Sequence, residues 1–286
     1  MGLGRFELPS RAPEALKIAY SALRGNFQVY LQRYSREAAQ KIQRDLDRFL
    51  FNRIISSPLD VMNLFQGLSP GQIHNLDRAL RALLNFCLTL GYSEEWIARL
   101  KKAIPRDPEF MDLKVPEENE VSESLRRISR LNPKYQSVWL ICLESGLRLT
   151  EAVDLVNRFD QSRVTRLNGF LRIPIGSFRG SKIAYYAYFT EETLIKLKET
   201  GCAGLTRMNA SQYFRKKGML PAKYLRKFAF HKMVELGVPE SVADFIEGRV
   251  PRTIGARHYM NLVKQADQYY PKYAEYIKSL KEKSQK

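Results

Sequence analysis

The chain holds 286 residues, with 47 Lys+Arg against 30 Asp+Glu, a net charge of +17 and a pI near 9.8. That excess calls for a polyanionic partner, nucleic acid first, and 44% apolar content is ordinary for a globular chain of one or two cores. Three scattered cysteines, three histidines without ligand spacing, no apolar run of the ~20 residues a membrane helix needs and no signal-type N-terminus argue against a disulfide framework, a His/Cys metal centre, a membrane span and secretion.

Residues 1–12 lack periodicity and are expected to be disordered. Residues 13–110 are expected to form a four-helix bundle. Pro13 to Tyr34 has apolar residues at helical spacing, with Pro13 at the first position; Ser35 caps a second helix running to Ile55. Ser69-Pro70-Gly71 opens a third, Gly91 ends it, and Ser93-Glu94-Glu95-Trp96 starts a fourth. Pro105, Pro108 and Pro116 mark an extended linker and a domain boundary. Helices resume at Ser122 and Lys134. Residues 164–190 change period, and two aromatic, β-branched runs around Ser177–Ser181 predict a β-hairpin with its tip at Gly180–Lys182. Helices return from Thr190, and a polar helical tail begins near Lys264. The fold class expected is mainly α with a small β-hairpin or sheet.

The charge is uneven. Residues 1–112 hold 16 Lys+Arg and 12 Asp+Glu, whereas residues 113–286 hold 31 and 18. The second part also carries an ordered series of basic boxes: Ser145-Gly146-Leu147-Arg148-Leu149-Thr150-Glu151; Arg179-Gly180-Ser181-Lys182; Lys223-Tyr224-Leu225-Arg226-Lys227; Gly248-Arg249-Val250-Pro251-Arg252; and Arg257-His258-Tyr259. An arginine at a helix junction presents a planar fork that grips a phosphate bidentately. Lys223 and Arg226, three apart, share a helix face. Each box alone is equally an ordinary salt bridge or a solvated basic surface. Their order is what carries information.

That order and spacing resemble the tyrosine recombinases, and especially the SSV-type integrases of archaeal viruses and plasmids, in which Lys-x-x-Arg replaces the usual His-x-x-Arg. The resemblance covers residues 113–262 by motif and 13–103 by helical layout. It implies a core-binding domain at 13–110, a tyrosine-recombinase catalytic domain at 113–286, and no cofactor or metal. It implies that Tyr259 attacks a scissile phosphate to give a 3′-phosphotyrosine, with Arg148, Arg226 and Arg249 stabilising the developing charge. Lys182 would protonate the leaving oxygen and Lys223 would position or deprotonate the nucleophile. Arg179 competes with Lys182, Arg252 with Arg249, and Tyr269 or Tyr270 with Tyr259. The partners implied are double-stranded DNA attachment sites and further protomers, four on two sites, with the tail helix a candidate for docking on a neighbour. The expected location is the cytoplasm, with the nucleoid. An archaeal Xer-type resolvase, a type IB topoisomerase and a non-cleaving DNA-binding protein remain as alternatives.

Gly4-Arg5-Phe6-Glu7-Leu8-Pro9 adds a separate signal. One allowed back-translation, GGG AGG TTC GAA CTC CCG, has a complement that folds into a stem around a TTCGAAC loop, the T-arm of a tRNA. This points to an attachment site inside the gene that matches a tRNA gene.

Overall fold

The computed structural model describes residues 17–106, 112–179, 182–200, 204–249 and 261–285. The chain divides into two compact units, Met1–Asp112 and Leu113–Lys286. The expected disorder of residues 1–12 and the proline at position 13 lie outside the described residues.

In the first unit, α1 (Tyr20–Tyr30), α2 (Arg36–Leu50), α3 (Pro58–Leu64), α4 (Pro70–Thr89) and α5 (Glu94–Lys102) surround one core. Ser35 caps α2 by accepting from the Ala38 amide, and Ser93 caps α5 by accepting from Trp96. At α4, the Ser69 amide donates to Gln72 Oε1 at 2.9 Å, with Pro70 first in the helix. Leu76, Leu80, Leu83, Leu84 and Cys87 of α4 are buried with Phe27, Leu46, Leu50 and Trp96. Arg24 grips Asp47 with two bonds, of 2.8 and 2.9 Å, and the Tyr20 hydroxyl donates to the same carboxylate.

Two expectations need correction here. The described residues of this unit hold five α-helices, not four, besides a 3₁₀ turn at Leu31–Arg33, because Pro58–Leu64 forms a short helix closed by a Ser57/Asp60 capping box. The first helix begins only at Tyr20 and the second ends at Leu50. Ile18–Ala19 (β1) and Ile54–Ile55 (β2) instead pair as a two-residue antiparallel ladder. Helical spacing cannot distinguish a two-residue rung from another helical turn.

The second unit is built around α7 (Pro133–Ser145), whose residues from Gln136 onward are all buried. A helix apolar on every side must be enclosed. Around it lie α6 (Glu118–Ile128), α8 (Leu149–Asn157), a three-stranded antiparallel sheet, α9 (Glu191–Thr200), α10 (Arg207–Lys216), α11 (Ala222–Glu235), α12 (Glu240–Ile246) and α13 (Leu262–Gln285). The sheet order is β3 (Thr165–Leu167), β4 (Phe170–Arg179), β5 (Lys182–Phe189). The sequence had indicated only the last two strands; Thr165-Arg166-Leu167 is too short to show a period. The expected hairpin tip at Gly180–Ser181 lies outside the described residues, although its flanks Arg179 and Lys182 pair. α6 starts four residues earlier than Ser122.

The tail helix differs most from expectation. α13 lies on its own unit, with Ala266, Tyr270, Tyr273, Ala274, Ile277 and Leu280 buried. Tyr273 and Tyr270 donate to the carbonyls of Leu143 (2.8 Å) and Glu144 (3.0 Å). Those carbonyls belong to the last turn of α7, where no intrahelical donor exists. Lys281 is buried against Glu144 at 2.5 Å, and the same carboxylate accepts from the Thr190 amide, Thr190 Oγ1 and Thr193 Oγ1. A neighbouring protomer is therefore not needed to cover this helix.

Candidate active site

α7 ends at Gly146, which takes φ +61°. A Cβ there would stand 2.6 Å from Glu247 Oε1 and 2.8 Å from Glu247 Cγ. The glycine is thus required twice, for its left-handed backbone and for the space the glutamate fills. Leu147 then buries, and Arg148 becomes the N-cap of α8. The Arg148 amide donates to Glu151 Oε2 at 2.9 Å, and its Nη1 donates to Glu151 Oε1 at 3.0 Å and to the Gly248 carbonyl at 2.8 Å. Glu151 is almost wholly buried, so one carboxylate both caps α8 and fixes the arginine.

Arg226 enters from α11. Its Nη1 donates to the carbonyls of Gly146 (2.8 Å) and Glu247 (2.5 Å), the C-cap residues of α7 and α12. One cation thereby serves two helix ends whose dipoles favour positive charge. Arg226 is only 9% exposed, and its Nη2 is buried without a hydrogen-bond partner among the described residues. Leaving a buried charged donor unmade costs on the order of 1–3 kcal/mol or more.

Arg249 follows Gly248 at the end of α12. Its amide donates to the Asp244 carbonyl at 2.7 Å, its Nη2 lies 3.2 Å from Glu247 Oε2, and its guanidinium stacks over the Phe230 ring at 5.0 Å. Gly248 takes φ +74°, and a Cβ on it would meet Ala184 Cβ at 2.5 Å. The α12 terminus is thus pressed onto β5, two residues from Lys182.

Arg226 and Arg249 lie against Glu247, and Arg148 donates to the carbonyl of the next residue, Gly248. This glutamate is fully buried, 3.5 Å from Arg226 Nε and 3.2 Å from Arg249 Nη2, and neither of its oxygens takes part in a hydrogen bond among the described residues. Burial pushes its carboxyl up to about 8, against the pull of Arg226 and Arg249. Burial likewise lowers Arg226 to about 10, opposed by Glu247 and assisted by repulsion from Arg148 and Arg249. Both members of the pair are biased toward neutrality because burial disfavours their charged forms. An incoming anion would meet guanidinium groups whose charge is poorly screened.

The remaining candidates fall as follows. Lys182 is exposed at the start of β5. Lys223 is exposed at the start of α11, with its ammonium 4.4 Å from the Tyr224 ring centroid. Tyr259, Arg252, Arg257 and His258 lie outside the described residues. Of the alternative nucleophiles, Tyr270 is fully buried with its hydroxyl engaged by Glu144, and burial raises its phenol well above the ordinary value. Tyr269 packs against the core. Tyr270 therefore offers no accessible hydroxyl, whereas Tyr269 is only partly buried. Glu247 and Asp244 were not singled out from the sequence. The available signal was an acid directly before Gly248-Arg249, in a stretch otherwise reading as apolar helix.

The sequence profile of a family described as archaeal phage integrase matches residues 113–276. The chain belongs to this family. It covers more than half the protein and all the boxes named above, and membership carries integrase-type, site-specific DNA recombination as the general activity. Among solved structures, the integrase from mycobacterium phage Brujita is similar over 89% of this chain and 93% of its own, at 11% identity and a TM-score of 0.41. No curated protein matches. No described helix of this integrase is long and apolar enough to cross a membrane.

Proposed function

We propose that this integrase cuts and rejoins duplex DNA through Tyr259. The phenolic oxygen attacks the scissile phosphorus and the bond to the 5′ oxygen breaks. A 3′-phosphotyrosine forms, and the leaving oxygen takes the electron pair and a proton from the Lys182 ammonium. Lys223 positions or deprotonates the phenol. Arg148, Arg226 and Arg249 stabilise charge on the non-bridging oxygens. The covalent bond conserves the phosphodiester energy, so rejoining is attack by a 5′-hydroxyl on the phosphotyrosine. In this reading residues 113–286 are the catalytic domain and residues 13–110 the core-binding domain. Four protomers act on two attachment sites, one of them matching a tRNA gene.

The observation that carries the reading is the convergence of Arg148, Arg226 and Arg249, with a buried Arg226 Nη2 that has no partner among the described residues. A phosphate oxygen has the charge and the lone pairs that this donor requires. The test is a suicide duplex nicked beside the cleavage site, incubated in EDTA. Wild type should form a covalent protein–DNA adduct, Tyr259→Phe none while still binding DNA, and Arg226→Ala an adduct slowed roughly a hundredfold. An adduct persisting in Tyr259→Phe would move the nucleophile. Relaxation of supercoils without joining of sites would replace recombinase by topoisomerase.

A further inference from the structure

The far end of α7 carries a second basic surface that the cleavage reaction does not use. Arg127 and Arg130 at the end of α6, Lys134 at the start of α7, and Arg215, Lys216 and Lys217 at the end of α10 meet there, and all but the half-buried Lys134 are exposed. The meeting is fixed by several contacts. Arg127 Nη1 donates to the Gly218 carbonyl at 3.0 Å, and the Asn132 amide donates to the Tyr213 hydroxyl at 3.1 Å. Tyr135 and Tyr213 stack face to face, with centroids 3.8 Å apart and planes 7° from parallel. Lys134 Nζ lies 5.6 Å from the Tyr135 centroid and Lys217 Nζ 5.9 Å from that of Tyr213, so the aromatic pair is bracketed by cations.

Folding alone does not call for this arrangement. Cations in the last turns of α6 and α10 suit the helix dipoles, but Lys134 sits in the first turn of α7, where the dipole disfavours it. Arg215, Lys216 and Lys217 follow one another at the end of α10, which places three exposed cations within one turn. The recorded ion pair within the group is Arg127 with Glu123 at 3.7 Å, both exposed, and such a pair contributes little. Like charges gathered in this way imply a polyanion that offsets the repulsion. The surface is also remote from the arginine cluster: thirteen residues of α7 separate them, about 20 Å at 1.5 Å per residue.

We propose that this surface binds a second segment of duplex DNA, through phosphates alone, while the arginine cluster holds the first. The inference rests on the recombinase reading, because recombination must bring two duplexes to one assembly. The exposed cations of this surface can pair with backbone phosphates, whose positions do not depend on base sequence, so sequence should not matter.

The test uses the full chain carrying Arg130→Ala, Lys216→Ala and Lys217→Ala together, beside a charge-matched control, Lys198→Ala, Lys272→Ala and Lys283→Ala. Cleavage of a short suicide duplex spanning only the attachment site is measured first. Capture of a second, labelled duplex by the immobilised protein–DNA complex is measured next, as a function of salt. Cleavage should be unchanged in both variants. Capture should fall at least tenfold in the first variant only, and its log–log salt slope should drop by up to about 3. Capture unaffected in the first variant, or lost equally in the control, overturns the proposal. So does cleavage falling in parallel with capture, since the surface would then serve the first duplex. Failure of wild type to cleave would instead indict the tyrosine reading, and capture would still be scored by itself.

Discussion

Gly248→Ala should destabilise the second unit well beyond the ordinary cost of a left-handed alanine. Gly169 provides the reference. It has φ +84° in the same unit, and nothing lies within 4 Å of where its Cβ would be. Gly169→Ala should therefore cost only the conformational term, roughly 1–2 kcal/mol. At Gly248 (φ +74°) the added methyl also meets Ala184 Cβ at 2.5 Å, Ala184 Cα at 3.0 Å and the Ile183 carbonyl at 3.2 Å. Those atoms belong to a paired strand and cannot swing aside, so overpacking adds about 1–3 kcal/mol. The entropic gain from restricting the unfolded chain is common to both variants and cancels. For a unit of this size each kcal/mol lowers Tm by about 2–4 °C. Thermal unfolding followed by calorimetry should place Gly248→Ala several degrees below Gly169→Ala. Adding Ala184→Gly should recover part of the difference, since it removes the closest atom but not the strand backbone. The Gly248 carbonyl is also the acceptor that holds Arg148, so adduct formation should slow in Gly248→Ala and not in Gly169→Ala. Equal melting temperatures for the two alanine variants would refute the close approach of the α12 terminus to β5.

Glu247→Gln should change how stability depends on pH. The carboxyl is raised from 4.5 to about 8 in the fold, so the folded state holds this proton more tightly than the unfolded chain; its contribution is full below about 4.5 and is lost as pH rises through about 8. Denaturant titrations across that window should show the wild-type second unit weakening with pH and the variant weakening less, and identical slopes would mean the glutamate stays ionised. Lys281→Met should cost about 3–5 kcal/mol, because it strands a buried carboxylate, while the double variant Lys281→Met/Glu144→Gln should recover much of the loss in the same melting assay. Tyr270→Phe should cost about 1 kcal/mol through one lost buried hydrogen bond, yet retain wild-type adduct formation on the suicide duplex.

The local rules that the sequence displays act over three or four residues, and these were legible. Ser35, Ser69 and Ser93 announce their helices because a cap needs only a side-chain oxygen and the next turn's amides. The strands at Phe170–Arg179 and Lys182–Phe189 are long enough to show their own composition, and the order of the boxes around Arg148, Arg226 and Arg249 points to a phosphate. The ladder between Ile18–Ala19 and Ile54–Ile55 was not legible, because two residues define no period and their partners lie 37 and 35 positions away. Nor was the burial of α13 on its own unit. A helix with Lys281 in its apolar stripe reads as polar until Glu144, 137 residues earlier, is placed opposite it. Glu247 is the sharpest case. In sequence it is an acid beside Gly248, with nothing to show that Gly146 leaves the space it fills or that Arg226 and Arg249 approach it. The sequence alone singled out Arg148, Arg226 and Arg249 as one ordered set. Tertiary packing decided that Arg226 and Arg249 lie against one buried carboxylate with Arg148 on the next carbonyl, because a bare backbone at position 146 leaves Glu247 its space and one at position 248 lets the end of α12 reach β5.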